Sequence, residues 1–594
     1  MISAFNYPFD VNYLLRKKKA IRRDLISSAD FEEKRIAILG GSTTAEIKDM
    51  IELFLLNDAV KPLFYECEYN RYEEEILFDA GGLKAFNPEI IYIHTSNVNV
   101  IRYPSVFESK KSIDCLIEDE VNRFKKIWGR IEDDYACSVI QNNFELPHFR
   151  GSGNFDAYSV NGRTRFIAEL NRCFSDEAMQ RRNLYLNDIN YLSAWFGLER
   201  WYDKSAYYSY KYAMSIDAIP LLANSVASIV KAILGKTKKG LVLDLDNTLW
   251  GGVIGDDGLS GIIIGKETPK AEAYTEFQQY VKEIKQQGII LAICSKNEEA
   301  VAKEGFSHPD SILALDDFSE FRANWKPKHQ NIRDIADSLN IGIDSLVFVD
   351  DNPMERDIVR AQEPQVVVPD FGSNVEKYID VIDKSGLFEI ISLSNEDLQR
   401  NSLYADNTHR RYTQSQFDNY DDFLRSLDMV AEIKPIIPMY LDRITQLTNK
   451  TNQFNLTTKR YTFGELTAIA ADSRYLTLYG RLLDKFGDNG LVSVMIGLIK
   501  GHELHIDLWL MSCRVLKRGM EGAMLDQLVT EAKTRGVTSI IGYYYPTTKN
   551  MIVSSLYEEM GFQHYAANKG GGNVFVLDIS TDYSNKNSLI DVTI

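Results

Sequence analysis

Apolar and polar positions alternate in blocks over the first part of the chain. The runs "RIAILGGSTTAEI", "IIYIHTS" and "YACSVIQNNF" are short and apolar, and stretches with helical spacing such as "SIDCLIEDEVNRFKKIWGRI" separate them. Strand and helix in turn predict a parallel sheet. This block closes on "IPLLANSVASIVKAIL", a predicted helix that runs into the polar "GKTKKG" and sets a boundary after residue 235. The alternation resumes over 236–385 in "GLVLDLD", "GIILAICS", "SLVFVDD" and "QVVVPD". Runs apolar at every position are expected of parallel strands covered on both faces. Residues 386–425 turn polar and helical, with Ser394 and Asp397 spaced as a capping box. From 426 to 580 come three long β-patterns, "YLTLYGRLLD", "GLVSVMIGLIK" and "HELHIDLWLMS", then the helix "MEGAMLDQLVTEAKTRG" and the strand "SIIGYYY"; residues 581–594 form a tail. Consecutive strands followed by a helix predict an α+β fold.

Length and charge sharpen this picture. A chain of 594 residues exceeds one hydrophobic core, and its 45% apolar content is that of globular protein. The formal net charge of -17 disfavours nucleic acid as a partner. Arg16, Lys17, Lys18 and Lys19 precede no apolar signal region, and no long apolar run stands out, so a cytoplasmic protein without a membrane span is expected. The six cysteines lie far apart without CxxC pairs, which disfavours both a disulfide framework and a zinc knuckle.

The candidate chemistry sits in the second block. Ligands of parallel sheets bind beyond the carboxyl ends of the strands, and Asp244, Ser295 and Asp350 all stand at that end of their runs. In Asp244-x-Asp246 one carboxylate can attack while the other handles protons. "FVDDNP" adds Asp350 and Asp351, and hard oxygen ligands so clustered suit a magnesium ion that also holds a substrate phosphate. The expected metal set is Asp244, Asp246, Asp350 and Asp351. Ser295 and a lysine of "NWKPK", either Lys326 or Lys328, would complete a cradle for phosphoryl transfer. The interval between Asp246 and Ser295 has room for a loop and one helix but not for a lid domain, so the site is expected to be open.

The order DxDxT, serine, lysine, DD resembles the haloacid-dehalogenase (HAD) phosphotransferases. That resemblance implies a phosphorylated Asp244, Asp246 as general acid and base, Thr248 fixing the turn, Ser295 and Lys328 on the phosphoryl group, and Asn297 among the positions that hold bound groups. A narrower likeness lies in "LDLDNTLWGGVIGDDG", "LAICSKNEE", "LNIGIDSLVFVDDNPMERD" and "LTNKTNQFNLTTKRY", which resemble the FkbH-like branch. Members with an assigned role remove phosphate from 1,3-bisphosphoglycerate and load the glyceryl group onto the pantetheine thiol of an acyl carrier protein; others are linked to surface polysaccharide assembly. The resemblance makes Cys294 a candidate for a transient thioester, the alternative being an ordinary core thiol. It also makes Asn452, Gln453 and Asn455 candidate acyl or pantetheine contacts, the alternative being a solvated loop.

The flanking blocks carry weaker likenesses. "LGGSTTAE" places Ser42 as in SGNH hydrolases, but the late Asp-x-x-His is replaced by Asp217, Ala218, Ile219, Pro220, so no general base is offered. A fold relic or docking domain is the expected reading, the alternative being an esterase, and Ser42 to Thr44 could instead hold an anion. "NMIVSSLYEEMGF" resembles GNAT acyltransferases, with Tyr557 placed as their thiol-protonating tyrosine or else simply packed against Phe562. Their pyrophosphate loop is degenerate in "KRGMEG", where Gly522 is retained and Met520 replaces a glycine, which disfavours coenzyme A itself while a carrier-borne pantetheine arm could still enter that cleft. The expected fold class is therefore α/β in three domains: an SGNH/flavodoxin-like parallel sheet, a HAD-like Rossmannoid sheet without a large cap, and a GNAT-like mixed sheet. The leading expected function is a magnesium-dependent dephosphorylation of an acyl phosphate with loading of a carrier. The alternatives are a phosphatase for a phosphosugar or glycerol phosphate, and a carrier-binding scaffold without chemistry.

Overall fold

The computed structural model describes residues 3–27, 31–79, 81–393, 398, 403, 410, 413–414, 416–547, 549–567, 571–581 and 583–593. The capping pair Ser394 and Asp397 lies outside them. Two compact units are formed, one of Met1–Ile233 with Asp383–Ile391, the other of Leu234–Ile382 with Ser392–Ile594.

The first unit is built on five parallel strands, β1 (Glu32–Gly40), β2 (Val60–Glu66), β3 (Ile90–His94), β4 (Ser138–Asn142) and β5 (Leu184–Asn187), in the order β2-β1-β3-β4-β5. Ile36 to Gly40 and all of β3 are buried, as expected of strands covered on both faces. One face packs on the helices Lys110–Asp134 and Arg163–Gln180 through Phe124, Trp128, Phe166 and Phe174. Helix Ile219–Ile233, with Ile216–Ala218 before it, is long and apolar enough to cross a membrane by composition, which the sequence reading had not expected, but 78% of that window is buried within the protein. Asn224 Nδ2 donates to the Lys384 carbonyl (3.0 Å), fastening the returning segment Asp383–Ile391 to this helix.

The second unit contains two sheets. The four-stranded parallel one comprises β6 (Gly240–Leu243), β7 (Ile290–Ser295), β8 (Glu320–Ala323) and β9 (Leu346–Val349) in the order β8-β7-β6-β9. Every residue of β6, β7 and β9 is buried. Helix Lys328–Leu339 presents Ile332, Ile335, Ala336 and Leu339, an i, i+3, i+4, i+7 stripe, to Val242, Ala292 and Phe348. Each such side chain contributes about 1.5–3 kcal/mol by leaving water. Two strand expectations differ here. "QVVVPD" forms no strand, only a bridge from Val367 to Val347, and the fourth strand is instead the half-polar edge "EFRA".

The third sheet has eight strands: β10 (Met429–Lys434), β11 (Tyr475–Asp484), β12 (Gly487–Lys500), β13 (Glu503–Met511), β14 (Ser539–Tyr544), β15 (Gln563–Ala567), β16 (Asn573–Asp578) and β17 (Ile590–Thr593), in the order β15-β16-β14-β13-β12-β11-β10-β17. Most neighbours are antiparallel, but β13 runs parallel to β14 and β17 to β10, giving the mixed α+β layer around helix Met520–Thr534.

Candidate functional site

β6 ends at Leu243, and the next residue, Asp244, has its backbone N–H bonded to the Val349 carbonyl (2.9 Å), which fixes it level with the end of β9. The turn after it needs a left-handed residue. Asn247 takes that conformation at φ 54°, which asparagine tolerates better than most side chains, and its carbonyl accepts from the hydroxyls of Tyr274 and Tyr378, both at 3.3 Å. On β9 the following loop opens helix Pro353–Gln362, where proline fits the first turn and the Asn352 side chain caps the Met354 N–H (3.0 Å). Arg356, in that helix, donates to the carbonyls of Asp350 (2.8 Å) and Asp351 (2.7 Å) and so fixes the acidic turn; its contribution has no local signal in the sequence.

The carboxylates meet around one ammonium. Lys328 Nζ lies 2.5 Å from Asp350 Oδ2 and 3.0 Å from Asp244 Oδ1, with Lys328 4% and Asp350 0% exposed. Lys326 is exposed on the surface, so Lys328 is the lysine at the site. Asp244 Oδ1 has the ammonium near it yet makes no aligned hydrogen bond, leaving a buried oxygen unsatisfied. Among the described residues, Asp244, Asp350 and Asp351 bring carboxylate oxygens within 4.8 Å of one another. Three carboxylates against one ammonium leave two negative charges, the complement of a divalent cation. Burial, then the charge of Asp244, pushes Asp350 up to about 6 and Asp351 also upward. Burial opposes the ammonium of Lys328, but Asp244 and Asp350 outweigh it and hold its pKa above the usual lysine value.

Asp246 stands apart from this group, contrary to its expected place among the metal ligands. Its Oδ1 accepts from Trp250 Nε1 (3.0 Å) and the Ile254 N–H (3.1 Å), and its Oδ2 from Asn297 Nδ2 (2.8 Å). Three donors occupy and orient the carboxylate, a setting for proton handling rather than for ligation. Asn297 also reaches Ser295 Oγ (3.3 Å), and Thr248 Oγ1 accepts from the Asp351 N–H (3.2 Å), so both join the same cluster. Cys294 does not. Its side chain lies on the apolar face with Val242, Ala292 and Phe348, its Sγ 3.6 Å from the Lys328 carbonyl, and burial raises its pKa despite the opposing lysine. Full burial of the thiol among apolar side chains is the setting of an ordinary core cysteine, the second of the two expectations.

Comparison with known proteins places these features. The FkbH N-terminal domain is matched over residues 35–231. The N-terminal part of BF1531 from Bacteroides fragilis, described as containing a phosphatase domain complexed with Mg, is 33% identical, is covered in full, spans 65% of this chain and superposes with a TM-score of 0.59. The chain belongs to the FkbH family. No curated protein matches the FkbH chain. The ribosomal-protein-S18-alanine N-acetyltransferase of Escherichia coli (17% identity, 26% of this chain and 98% of its own, TM-score 0.21) and PaiA N-acetyltransferase of Thermoplasma acidophilum in complex with coenzyme A (15%, 25%, 98%, 0.21) are also similar. The mixed sheet of the FkbH chain is described from its own topology.

In that sheet β13 and β14 pair only through Glu503–His505 and Ser539–Ile541. Beyond, the chain's own segment fills the gap: Leu456 N–H donates to the Trp509 carbonyl (3.2 Å), Met511 N–H to Phe454 (3.1 Å) and Tyr545 N–H to Leu456 (2.9 Å). Asn455 is therefore part of a wedge, with its carbonyl held by Asn550 Nδ2 (3.0 Å), and not a solvated loop. Gly522 is also approached by the tail, since a Cβ there would stand 3.1 Å from the backbone of Lys586. Tyr557 is buried between Trp509, Phe562 and Phe575, in keeping with the packing alternative. Segments flanking the mixed sheet reach the end of the parallel one that is far from Asp244: Lys239 Nζ donates to the carbonyl of Lys450, at the end of a helix, and Lys549, in a loop, pairs with Asp344, Lys239 and Asp344 standing at the amino ends of β6 and β9.

Proposed function

We infer that the FkbH chain is a magnesium-dependent phosphatase of the HAD type in which Asp244 attacks phosphorus. The observation that carries this reading is the buried Asp244–Lys328–Asp350 array with an unsatisfied Asp244 oxygen beside Asp351. The magnesium reported with the BF1531 phosphatase domain supports the choice of ion. Asp244, Asp350 and Asp351 would hold it, and the ion would neutralise carboxylates and phosphoryl oxygens that otherwise repel. Lys328 and Ser295 face the transferred group, and Lys328 keeps Asp244 placed for attack. Asp246, held by Trp250, Ile254 and Asn297, gives a proton to the leaving oxygen and then takes one from water as the aspartyl-phosphate is hydrolysed.

Atom balance separates two uses of such a site. Attack of Asp244 on phosphorus breaks the P–O bond, so an acyl phosphate would leave as a free carboxylate. Loading a carrier instead requires a thiol to attack the acyl carbon, with the C–O bond breaking and phosphate departing into the cradle. Cys294 is buried, and the β13–β14 gap is filled, so that thiol would come from a carrier docked at the carboxyl end of the parallel sheet. The resemblance to FkbH-like proteins favours a glyceryl substrate and carrier loading; the burial of Cys294 favours simple phosphate release from an acyl phosphate or phosphate monoester. The protein, magnesium, 1,3-bisphosphoglycerate and a pantetheinylated carrier are incubated and the carrier is weighed. A glyceryl-sized gain supports loading, phosphate release without a gain supports the phosphatase, and neither product refutes both.

A further inference from the structure

In the parallel sheet of the second unit β7 and β9 pair with β6 from either side and share no hydrogen-bond ladder with each other. Asp244 follows the middle strand, Ser295 closes β7, and Asp350 and Asp351 follow β9. A phosphoryl group on Asp244 has to meet Ser295 and the acidic turn at once, so the separation of the two outer loops matters. Their strands stand about 10 Å apart, twice the spacing of paired strands.

One side-chain contact crosses that width. Lys296, the residue after Ser295, places Nζ 2.5 Å from Glu355 Oε1, and Glu355 lies in the first turn of helix Pro353–Gln362, directly after the acidic turn. Lysine and glutamate are both long enough to share such a span. Among the described residues neither has a second ion-pair partner. The other ties at this end join neighbouring strands: Asn297 to Asp246, the Asp351 N–H to Thr248, and the Asn324 N–H to the Ser295 carbonyl (3.1 Å). The lysine side chain is 39% and the glutamate 11% exposed, so water screens the pair and it adds little to overall stability. Its leverage is geometric, since a misplacement of about 1 Å between groups that share a transition state costs up to about 100-fold in rate.

We propose that Lys296 and Glu355 are positioning residues of the phosphoryl site, a strap that sets the distance from Ser295 to the acidic turn of Asp350 and Asp351. The proposal rests on the reading of Asp244 as the phosphorylated residue. Lys296→Met, Glu355→Gln, the double variant and the exchanged pair Lys296→Glu with Glu355→Lys are compared in the full chain by release of phosphate from p-nitrophenyl phosphate with magnesium, by thermal unfolding and by amide hydrogen exchange. Each single variant is expected to lower kcat about tenfold with KM within about twofold. The double variant should lose no more, because the two side chains act as a unit, and the exchanged pair should regain most of the loss. The unfolding midpoint should move by less than about 3 °C, which a purely structural role in catalysis would not combine with that loss. In Lys296→Met, exchange over residues 350–355 should quicken at least about fivefold although the substitution lies on the other loop. Unchanged exchange there overturns the strap whatever the turnover, and so do full kcat in both single variants or additive losses that the exchanged pair does not restore. Asp244→Asn is assayed beside them: turnover in that variant removes the phosphoryl reading itself, whereas silence there with fully active strap variants removes the strap alone.

Discussion

Replacing Lys328 by methionine tests the electrostatic logic of the site, because stability and activity should respond in different ways to magnesium. The ammonium lies 2.5 Å from Asp350 and 3.0 Å from Asp244, and all three side chains are almost completely buried. At an effective dielectric of about 20, the two contacts are worth roughly 6.6 and 5.5 kcal/mol of gross attraction. Most of that offsets desolvation, and losing one partner of such a buried pair typically costs about 3–5 kcal/mol. Lys328→Met should therefore lower the urea stability of the parallel-sheet domain by about that amount. Asp350, already pushed up to about 6 by burial and Asp244, moves further upward once its cation is gone. Magnesium should restore more stability to the variant than to the unaltered protein, since it supplies the missing positive charge, while phosphate release stays lost. Urea titrations of both proteins with and without magnesium measure this. A variant as stable as the original, or one that magnesium stabilises no more, would refute the account of the array.

Other consequences follow from the same geometry. Asp350 has a raised pKa, so it is protonated below about pH 6 and ionised above it; the magnesium-induced rise in melting temperature should grow from about pH 5 to 7.5, and a constant rise would contradict its role as a ligand. Cys294→Ala should cost about 1–2 kcal/mol of stability as a small core truncation and leave turnover nearly unchanged; loss of turnover in a folded variant would restore the thiol to the chemistry. In the first unit burial pushes Glu145 up to about 7 although Asn97 donates to it from N–H (3.1 Å) and Nδ2 (2.7 Å). The folded state therefore holds its proton more tightly than the unfolded chain, and stability falls as pH rises from about 4.5 to 7. Glu145→Gln should flatten that decline, and an unaltered pH profile by calorimetry would refute it.

The parts of the site that the sequence announced share one property: each stands at the end of an apolar run. Asp244, Ser295 and Asp350 are placed by strands whose burial on both faces writes a continuous apolar signature, and register within a parallel sheet then brings their ends together. The choice of Lys328 over Lys326 depends on where helix Lys328–Leu339 starts, which spacing alone left open. Strand β8 was invisible because an edge strand with Glu320 and Arg322 lacks an apolar pattern, and "QVVVPD" misled because an apolar run pairs as a strand only where a neighbour has free backbone groups. The exclusion of Asp246 from the metal set, the clamp from Arg356, the wedge at Phe454–Leu456 and the approach of the tail to Gly522 all arise between residues distant in the chain or from hydrogen bonds that use up a side chain, and periodicity records neither. Cys294 and Ser295 show the finer limit: alternation put them on opposite sides of β7, and only the packing identified which side held the chemistry.

The most direct test of Asp244 as the nucleophile is mass spectrometry of protein quenched in acid within its first turnover on a phosphoryl donor with magnesium. A phosphoryl-sized increment confined to the peptide containing Asp244, and missing from an inactive Asp244→Asn variant, is the predicted result. Phosphate release at the original rate by Asp244→Asn, or an increment on another residue, would contradict the account.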